Sequence, residues 1–263
     1  MKKELQIFFT AVSYYTRIPV PALLPYSADF LNSSNRYITL IGWVVGAFSF
    51  SIFYLTNYIW GISIALILSI AASILFTGAL HEDGFADVCD GFGGGFTKDR
   101  ILEIMKDSSL GTYGTIGIVF IIALKFLALQ QILNIAGNEF WILLLIFIVS
   151  NAISRFIAIS LIYSYPYVGK EGVSKAKPAT ENPDIHNLWI ALSFILIPLT
   201  ALIVLSHKPW LLLMIVPLLI QRQAMGKYFK RKIGGYTGDC LGAVQQVAEL
   251  IIYMSIIAIW KFI

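Results

Sequence analysis

Residues 140–163 read FWILLLIFIVSNAISRFIAISLIY, and this stretch decides the class of fold. Arg155 is its only charged residue, and apolar side chains surround it on both sides. A helix needs about 20 predominantly apolar residues to cross the hydrocarbon core of a bilayer. The stretch is therefore predicted to be a transmembrane helix.

The composition of the whole chain agrees with a membrane protein. Of its 263 residues, 58% are hydrophobic and 13% are charged, whereas about 25% are charged in an ordinary soluble domain. The mean hydropathy is +0.78. So few polar residues cannot cover the surface of a soluble globule, which excludes a water-soluble enzyme, a disordered protein and a nucleic-acid-binding module.

Apolar runs of similar length recur along the chain. The candidate spans are 37–58, 62–80, 112–133, 140–163, 188–206, 209–221 and 241–262. The sixth is short and holds Pro209 and Pro217, so we expect it to be tilted, kinked or re-entrant. Because the runs are continuous rather than alternating, a β-barrel is excluded. The prediction is an all-α polytopic membrane helical bundle of about seven transmembrane helices, forming one integral membrane domain over 1–263.

The first residues and the cysteines exclude two other classes. The N-terminal apolar run is short, is broken by Tyr14 to Arg17 and has no small-residue cleavage site, unlike a cleaved signal peptide. We expect an amphipathic helix lying on the membrane or packed into the bundle. Two cysteines, Cys89 and Cys240, are too few for a disulfide framework or a Cys-rich zinc site.

Basic residues are concentrated on one side of the predicted membrane topology. Fifteen of the nineteen Lys and Arg residues lie in residues 1–36 and in the predicted loops 81–111, 164–187 and 222–240. Since basic loops stay in the cytoplasm, the N-terminus is predicted to be cytoplasmic. The three loops are predicted to carry an active site on that face.

Acidic residues crowd into the first of these loops. Residues 81–114 read HEDGFADVCDGFGGGFTKDRILEIMKDSSLGTYG, and seven of the fifteen Asp and Glu residues lie between Glu82 and Asp107. Asp83, Asp87 and Asp90 follow i, i+4, i+7 spacing, which places them on one face of a helix. Such carboxylates repel one another unless a cation lies among them.

The donor atoms of this cluster indicate which cation it would take. Carboxylate oxygens suit Mg²⁺, with Mn²⁺ as the second choice. His81 and Cys89 leave zinc as an alternative, but their spacing matches no usual zinc site.

A glycine run follows the acids, at Gly91, Gly93, Gly94 and Gly95. We expect it to end the helix and to let the backbone approach an anionic ligand, with a flexible turn as the alternative. A short amphipathic helix is predicted next, with Asp99 as a candidate cap. Lys106, at the mouth of the following span, is placed to meet a phosphate.

A second polar cluster, GGYTGDCLGAVQQVAEL, occupies residues 234–250. Asp239 is either a helix cap or a functional carboxylate. Glu249 and Arg155 lie inside spans, where an ionisable residue is by default functional, or else the two pair with each other. Snorkelling is one option for Lys125, which is assigned no role.

Carboxylates, glycines and cations on one membrane face suit the transfer of a phosphoryl or phosphodiester group. EDGFADVCDGFGGG and IMKDSSLGTYG resemble the central motif of the cobalamin (vitamin B12) synthase family, the adenosylcobinamide-GDP ribazoletransferases. TRIPVP at 16–21, Arg36 and GGYTGDCLGA at 234–243 match in the same order. Cys89 and Cys240 depart from the family pattern, which argues that neither is catalytic.

The resemblance implies a Mg²⁺-dependent, multi-pass enzyme of the prokaryotic cytoplasmic (inner) membrane. It would join α-ribazole, or α-ribazole 5′-phosphate, to adenosylcobinamide-GDP and release GMP. The product would be adenosylcobalamin or its 5′-phosphate, in the last assembly step of cobalamin biosynthesis. The implied partners are these small molecules and the lipid bilayer, with no nucleic acid.

The residues and the resemblance together assign the site. The expected metal ligands are Glu82, Asp83, Asp87 and Asp90. The expected catalytic residues are Asp83, Asp87, Lys106 and Asp239. The expected substrate-binding residues are Arg17, Arg36, Gly93, Gly94, Asp107, Ser108, Arg155 and Thr237.

Two other functions remain open at this point. A CDP-alcohol phosphotransferase also places an Asp-Gly motif at a membrane surface, but the order Asp-Gly-Phe-Ala-Asp here lacks its Ala-Arg pair. A transporter would explain Arg155 and Glu249, but the acids are concentrated in a loop and not at the bilayer midplane.

Overall fold

The structure is a computed structural model that describes residues 2–20, 27–137, 139–169 and 184–262. The described residues form a bundle of α-helices without a strand. The helices are α1 (Lys2–Tyr15), α2 (Ala28–Ser34), α3 (Ile38–Trp60), α4 (Ile62–Thr77), α5 (Leu80–Gly94), α6 (Lys98–Ile104), α7 (Thr112–Ala136), α8 (Phe140–Ser160), α9 (Ile185–Ser206), α10 (Ile215–Ile233) and α11 (Gly238–Phe262).

The predicted membrane-spanning class is confirmed. Within the described residues, six helices are long and apolar enough to cross a bilayer, and the α4–α5 pair makes a seventh if its bend of 91° interrupts one span. The predicted spans agree with the helices to within a few residues, except at the sixth. The N-terminal segment forms the predicted helix α1.

The sixth span was predicted too short. A 3₁₀ turn over Pro209–Met214 leads into α10, which continues to Ile233 instead of ending near 221. Both prolines lie near a helix start, where a missing backbone N–H costs little. The polar second half of α10 is rich in Lys, Arg and Gln, which favour helix although they lower the hydropathy.

Two of the three predicted active-site loops are largely helical. Residues 81–111 contain α5 and α6, and residues 222–240 contain the end of α10 and the start of α11. In the loop predicted at 164–187, residues 170–183, with Lys170, Lys175 and Lys177, lie outside the described residues.

Small residues allow the core helices to approach closely. A methyl group placed on Gly42 of α3 would lie 2.7 Å from the Cα atom of Ala152 in α8, and one on Gly46 would lie 2.8 Å from the Cα atom of Ile148. Membrane helices associate through such close contacts because lipid gives them no hydrophobic drive to associate.

Contacts between distant segments bring many helix ends together. Arg17 donates its backbone N–H to Phe76 at the end of α4 (2.8 Å). Tyr236, just before α11, donates its N–H to Pro166, and Val168 donates to Tyr236. Most predicted site residues therefore lie at one end of the bundle.

Candidate active site

The helix that carries the acids, α5, starts at a sharp turn. Gly78 and Ala79 both have positive φ angles, of 66° and 57°. Glycine accepts this conformation without penalty, whereas alanine is strained in it. The turn redirects the chain by 91° from α4, so that α5 runs across the end of the bundle.

Helix α5 crosses α11 at two glycines. A methyl group on Gly84 would lie 2.8 Å from the Cα atom of Asp239, and one on Gly242 would lie 2.9 Å from the carbonyl oxygen of His81. This crossing brings Asp239 next to the acids that flank Gly84. The sequence did not show that the two polar clusters meet here.

Three carboxylates gather at the crossing. Asp87 interacts electrostatically with Asp239 and Asp83, and Asp239 also interacts with Asp83. Asp83 is exposed and Asp87 is half-buried. Like charges that interact in this way are unfavourable in the absence of a cation. We call Asp83, Asp87 and Asp239 the acidic cluster.

Asp90 shares the face of Asp83 and Asp87 but has a different environment. Its two carboxylate oxygens accept backbone N–H bonds from Gly111 and Gly114, each at 2.8 Å. It is 9% exposed. Asp90 therefore caps the N-terminus of α7, where a negative charge is favoured by the helix dipole.

The glycine run ends the helix as expected, but only at its last members. Gly91, Gly93 and Gly94 still belong to α5, which ends at Gly94 with Gly95 as its C-cap. A methyl group on Gly91 would lie 2.5 Å from Met105, and one on Gly93 would lie 2.6 Å from the ring of Tyr113. These glycines let α6 and the start of α7 pack on α5, and this packing outweighs their low helix propensity.

The two caps proposed at Asp99 and Asp239 are made by threonines instead. Thr97 accepts the N–H of Arg100 at 3.3 Å, and Thr237 accepts the N–H of Cys240 at 3.3 Å. In each case the aspartate lies in the first turn of the capped helix, which leaves its charge for another use. Thr237 also donates its hydroxyl to Asp239 at 3.2 Å.

A cleft of about 700 Å³ lies beside the acidic cluster. Asp239 and Thr237 line it from α11, and Arg17 and Lys106 provide its cations. Its other lining residues are Ser13, Tyr14, Thr16, Thr77, Gly78, Leu80, Leu102, Met105, Tyr167, Val168, Gly169 and Gly238. Leu80 lies one turn before Asp83 on α5, so the cluster borders the cleft. The aromatic and apolar walls were not anticipated from the sequence.

Asp107 and Ser108 follow Lys106 on the exposed segment between α6 and α7. Asp107 accepts the backbone N–H and the hydroxyl of Ser109, at 2.9 and 2.7 Å. These bonds lower the pKa of Asp107 from its ordinary value. They stabilise the turn that holds Lys106 at the cleft.

Arg36 is occupied away from the cleft. Its Nε atom donates to Asn187 at 2.9 Å, and its Nη1 atom pairs with Glu4 at 3.0 Å. These contacts connect α1 and α9 to the residues before α3.

The direct Arg155–Glu249 ion pair, one of the two alternatives left open by the sequence, does not form. Lys125 pairs with Glu249 at 2.8 Å, with side chains only 7% and 12% exposed. Lys125 therefore does not snorkel, because a buried carboxylate offers a stronger partner than the distant interface. Arg155 instead donates to the backbone and side-chain oxygens of Asn151.

Glu82 also points away from the cleft. Its Oε1 atom accepts a hydrogen bond from Gln246 at 2.8 Å, and it lines a second, smaller cavity inside the bundle. Arg155 lines the same cavity. The interior partners Lys125 and Gln246 were not among the predicted site residues, although a lysine and a glutamine inside apolar spans are themselves a signal.

The fit of a divalent cation rests on the chemistry of the acidic cluster. In the part of the chain that the structure describes, no three His, Cys, Asp or Glu side chains form a ready-made metal site. Mg²⁺ does not require one, because it is usually held by one or two carboxylates together with water and substrate phosphates. The oxygen donors of Asp83, Asp87 and Asp239 fit this mode.

Comparison with known proteins gives one consistent family. The profile of the cobalamin-5-phosphate synthase family matches residues 7–257. Adenosylcobinamide-GDP ribazoletransferase of Shewanella amazonensis is 38% identical over 266 residues, covering 99% of this chain and 98% of the relative. The enzyme of the same name from Vibrio parahaemolyticus is 37% identical, covering 99% and 95%. No solved structure matches the chain.

Proposed function

The chain belongs to the cobalamin-5-phosphate synthase family, and on this premise we propose that it is an adenosylcobinamide-GDP ribazoletransferase whose reaction takes place at the acidic cluster and the cleft. It joins α-ribazole, or its 5′-phosphate, to adenosylcobinamide-GDP and releases GMP. This is the final assembly step of cobalamin. The observation that carries the placement is the meeting of Asp83, Asp87 and Asp239 beside a cleft that holds Arg17 and Lys106.

The reaction breaks the phosphoanhydride bond of the GDP-activated substrate and forms a phosphoester bond. The ribose 3′-hydroxyl of α-ribazole attacks the phosphorus attached to the aminopropanol arm of the corrinoid. A new phosphorus–oxygen bond forms, and the bond from that phosphorus to the oxygen of GMP breaks. The hydroxyl proton passes to a carboxylate, for which Asp239, at the cleft wall, is our candidate.

The cations of the cleft bind the anionic parts of the substrates. Arg17 lies between α1 and α2 and Lys106 lies after α6, and both line the cleft. Arginine binds two phosphate oxygens at once, and lysine acts as a point charge. Together they orient the diphosphate and offset the charge of departing GMP.

The carboxylates of Asp83 and Asp87 would hold Mg²⁺, and Asp239 stays available as the proton acceptor. When bound, the ion neutralises charge on the attacking and leaving oxygens. Asp90 contributes by fixing the start of α7 against α5, and Glu82 by its bond to α11. The volume of the cleft lies within the range of about 300–1,000 Å³ typical of small-molecule sites.

We propose that this end of the bundle faces the cytoplasm, because the basic residues collect there. Adenosylcobinamide-GDP and α-ribazole phosphate are polar molecules that reach such a face without crossing the bilayer.

The test is a GMP-release assay with purified protein in liposomes, supplied with adenosylcobinamide-GDP and α-ribazole. We expect GMP and the joined corrinoid in equal amounts. A CDP-activated lipid with an alcohol acceptor serves as the control substrate. Release of CMP from that control, without GMP release from the corrinoid, would contradict the proposal.

A further inference from the structure

A connected set of polar side chains lies inside the bundle, behind α5. Lys125 of α7 donates to Gln246 at 2.6 Å and pairs with Glu249 at 2.8 Å. Gln246 in turn donates to Glu82 of α5 at 2.8 Å. Gln245 donates to Glu249, and Tyr253 donates to it as well. We call these residues, together with Arg155, the interior network.

The network surrounds a small cavity where two buried polar atoms lack a partner. The cavity leaves about 20 Å³ for the centres of water molecules. Glu82 and Arg155 both line it, and their Oε2 and Nε atoms have no hydrogen-bond partner. Arg155 is only 3% exposed, and it interacts electrostatically with Glu249 and with Glu82.

Leaving Glu82 Oε2 and Arg155 Nε buried without hydrogen bonds destabilises the fold unless another group bridges them. A buried polar group without a partner destabilises the folded protein, and more so when it is charged. One water molecule requires about 10–15 Å³ of this kind of volume and two to four polar partners. The charges of the network balance, with Glu82 and Glu249 against Lys125 and Arg155, so no further ion is required.

We propose that one or two water molecules in this cavity bridge Glu82 and Arg155, and that Arg155 is a positioning residue for the acidic cluster. Glu82 directly precedes Asp83 on α5, so whatever fixes Glu82 also fixes the place of Asp83. Arg155 thereby acts on the reaction from behind α5 and does not contact substrate. This inference rests on the proposed function for its kinetic consequence only.

The first test does not depend on activity. Melting temperatures of detergent-solubilised protein are measured for Glu82→Gln, Arg155→Met and the double variant. We expect the melting temperature of the double variant to fall by much less than the sum of the decreases in the two single variants. Removing both charges leaves neither charge buried without its partner. Additive losses would overturn the bridge.

An exposed pair provides the matched control for this cycle. Arg100 and Glu103 pair at 2.8 Å on α6, with side chains 59% and 68% exposed. Arg100→Met and Glu103→Gln should change the melting temperature little and without coupling, since exposed pairs contribute little. If the yield of the interior variants is too low for a melting experiment, an experimental density map of the wild-type protein that resolves ordered water tests the bridge instead. Water within hydrogen-bond distance of both atoms supports the proposal, and a direct Glu82–Arg155 ion pair overturns it.

The second test separates positioning from substrate contact. Arg155→Gln should lower kcat for GMP release roughly 10- to 100-fold, the usual effect of removing an outer-shell partner. The KM values for both substrates should stay near those of the wild type. A raised KM with unchanged kcat would mean that Arg155 binds substrate and would overturn the positioning role. If wild-type protein releases no GMP, the proposed function fails, and the melting cycle still decides on the bridge.

Discussion

Asp83, Asp87 and Asp90 share one helix face but differ in what surrounds them. Both carboxylate oxygens of Asp90 accept hydrogen bonds from the backbone amides of Gly111 and Gly114, so its charge is compensated by the start of α7. Within the described residues, Asp87 accepts no such bonds and interacts electrostatically with Asp239 and Asp83, and with Asp90 itself. The three aspartates therefore have different roles. Asp83 and Asp87 are available to bind a cation, whereas Asp90 stabilises the packing of α7 on α5.

Neutralising Asp83 or Asp87 should abolish most activity. We expect Asp83→Asn and Asp87→Asn each to lower the rate of GMP release at least about 100-fold, the scale of a carboxylate that acts in the reaction. Asp99→Asn, on the exposed face of α6, is the matched control and should keep the wild-type rate. Near-normal rates in both cluster variants, with intact folding, would refute the assignment.

Removing the Asp90 cap should affect stability more than cation use. Asp90→Ala should lower the free energy of unfolding by about 1–2 kcal/mol, as for other helix caps. The Mg²⁺ concentration for half-maximal activity should not change. Denaturant titration and a Mg²⁺ titration of the rate measure the two effects. Unchanged stability together with a raised Mg²⁺ requirement would show that Asp90 is a ligand.

The face shared by the three aspartates was predictable from their spacing alone. Their partners were not, because the amides of Gly111 and Gly114 reach Asp90 only through tertiary packing. For the same reason the sequence indicated that charged residues lie inside the spans but did not indicate their partners. Glu249 pairs with Lys125 and not with Arg155.

Among the helices, the crossing of α5 and α11 matters most for the site. The two helix backbones are in close contact there, because Gly84 packs against the backbone of Asp239 and Gly242 packs against the backbone of His81. Backbone atoms cannot move aside as a flexible side chain can. The crossing thereby sets the distance between the two polar segments that form the acidic cluster.

A methyl group at this crossing should separate the cluster. We expect Gly84→Ala to cost about 1–3 kcal/mol of stability, as overpacking does, and to lower GMP release by more than its loss of folded protein explains. The matched control is Ala123→Val on the exposed side of α7, which should change neither. Activity assays normalised to folded protein provide the measurement, and a fully active Gly84→Ala would argue against a tight crossing.

The predicted helix bounds were correct where hydropathy determines them. They were wrong where side-chain packing determines them. The apolar runs predicted α3, α7, α8 and α9 closely. The lower hydropathy of α10 hid its second half, and glycines that normally end a helix are tolerated in α5 because Met105 and Tyr113 occupy the space beside them.

At the scale of the whole molecule, the described segments around Arg17, Lys106 and Asp239 meet at the cleft. Seven crossings, with the α4–α5 pair counted as one span, would put the two chain ends on opposite sides of the bilayer. This count and the distribution of basic residues along the sequence predict a topology with the cleft inside and the end of α11 outside.

Cysteine labelling in membrane vesicles tests this topology. In a background with Cys89→Ala and Cys240→Ala, a membrane-impermeant thiol reagent should label Lys98→Cys only in inverted vesicles. Lys261→Cys, at the far end of α11, should be labelled only in right-side-out vesicles. The reverse pattern would place the cleft outside the cell.

The central claim is that the crowded carboxylates at the cleft work with a divalent cation on a diphosphate substrate. The most direct measurement is the rate of GMP release by chelator-treated protein as Mg²⁺ is added back. We predict no release without the ion and a saturable recovery that Asp87→Asn weakens. A full rate in metal-free buffer would contradict the claim.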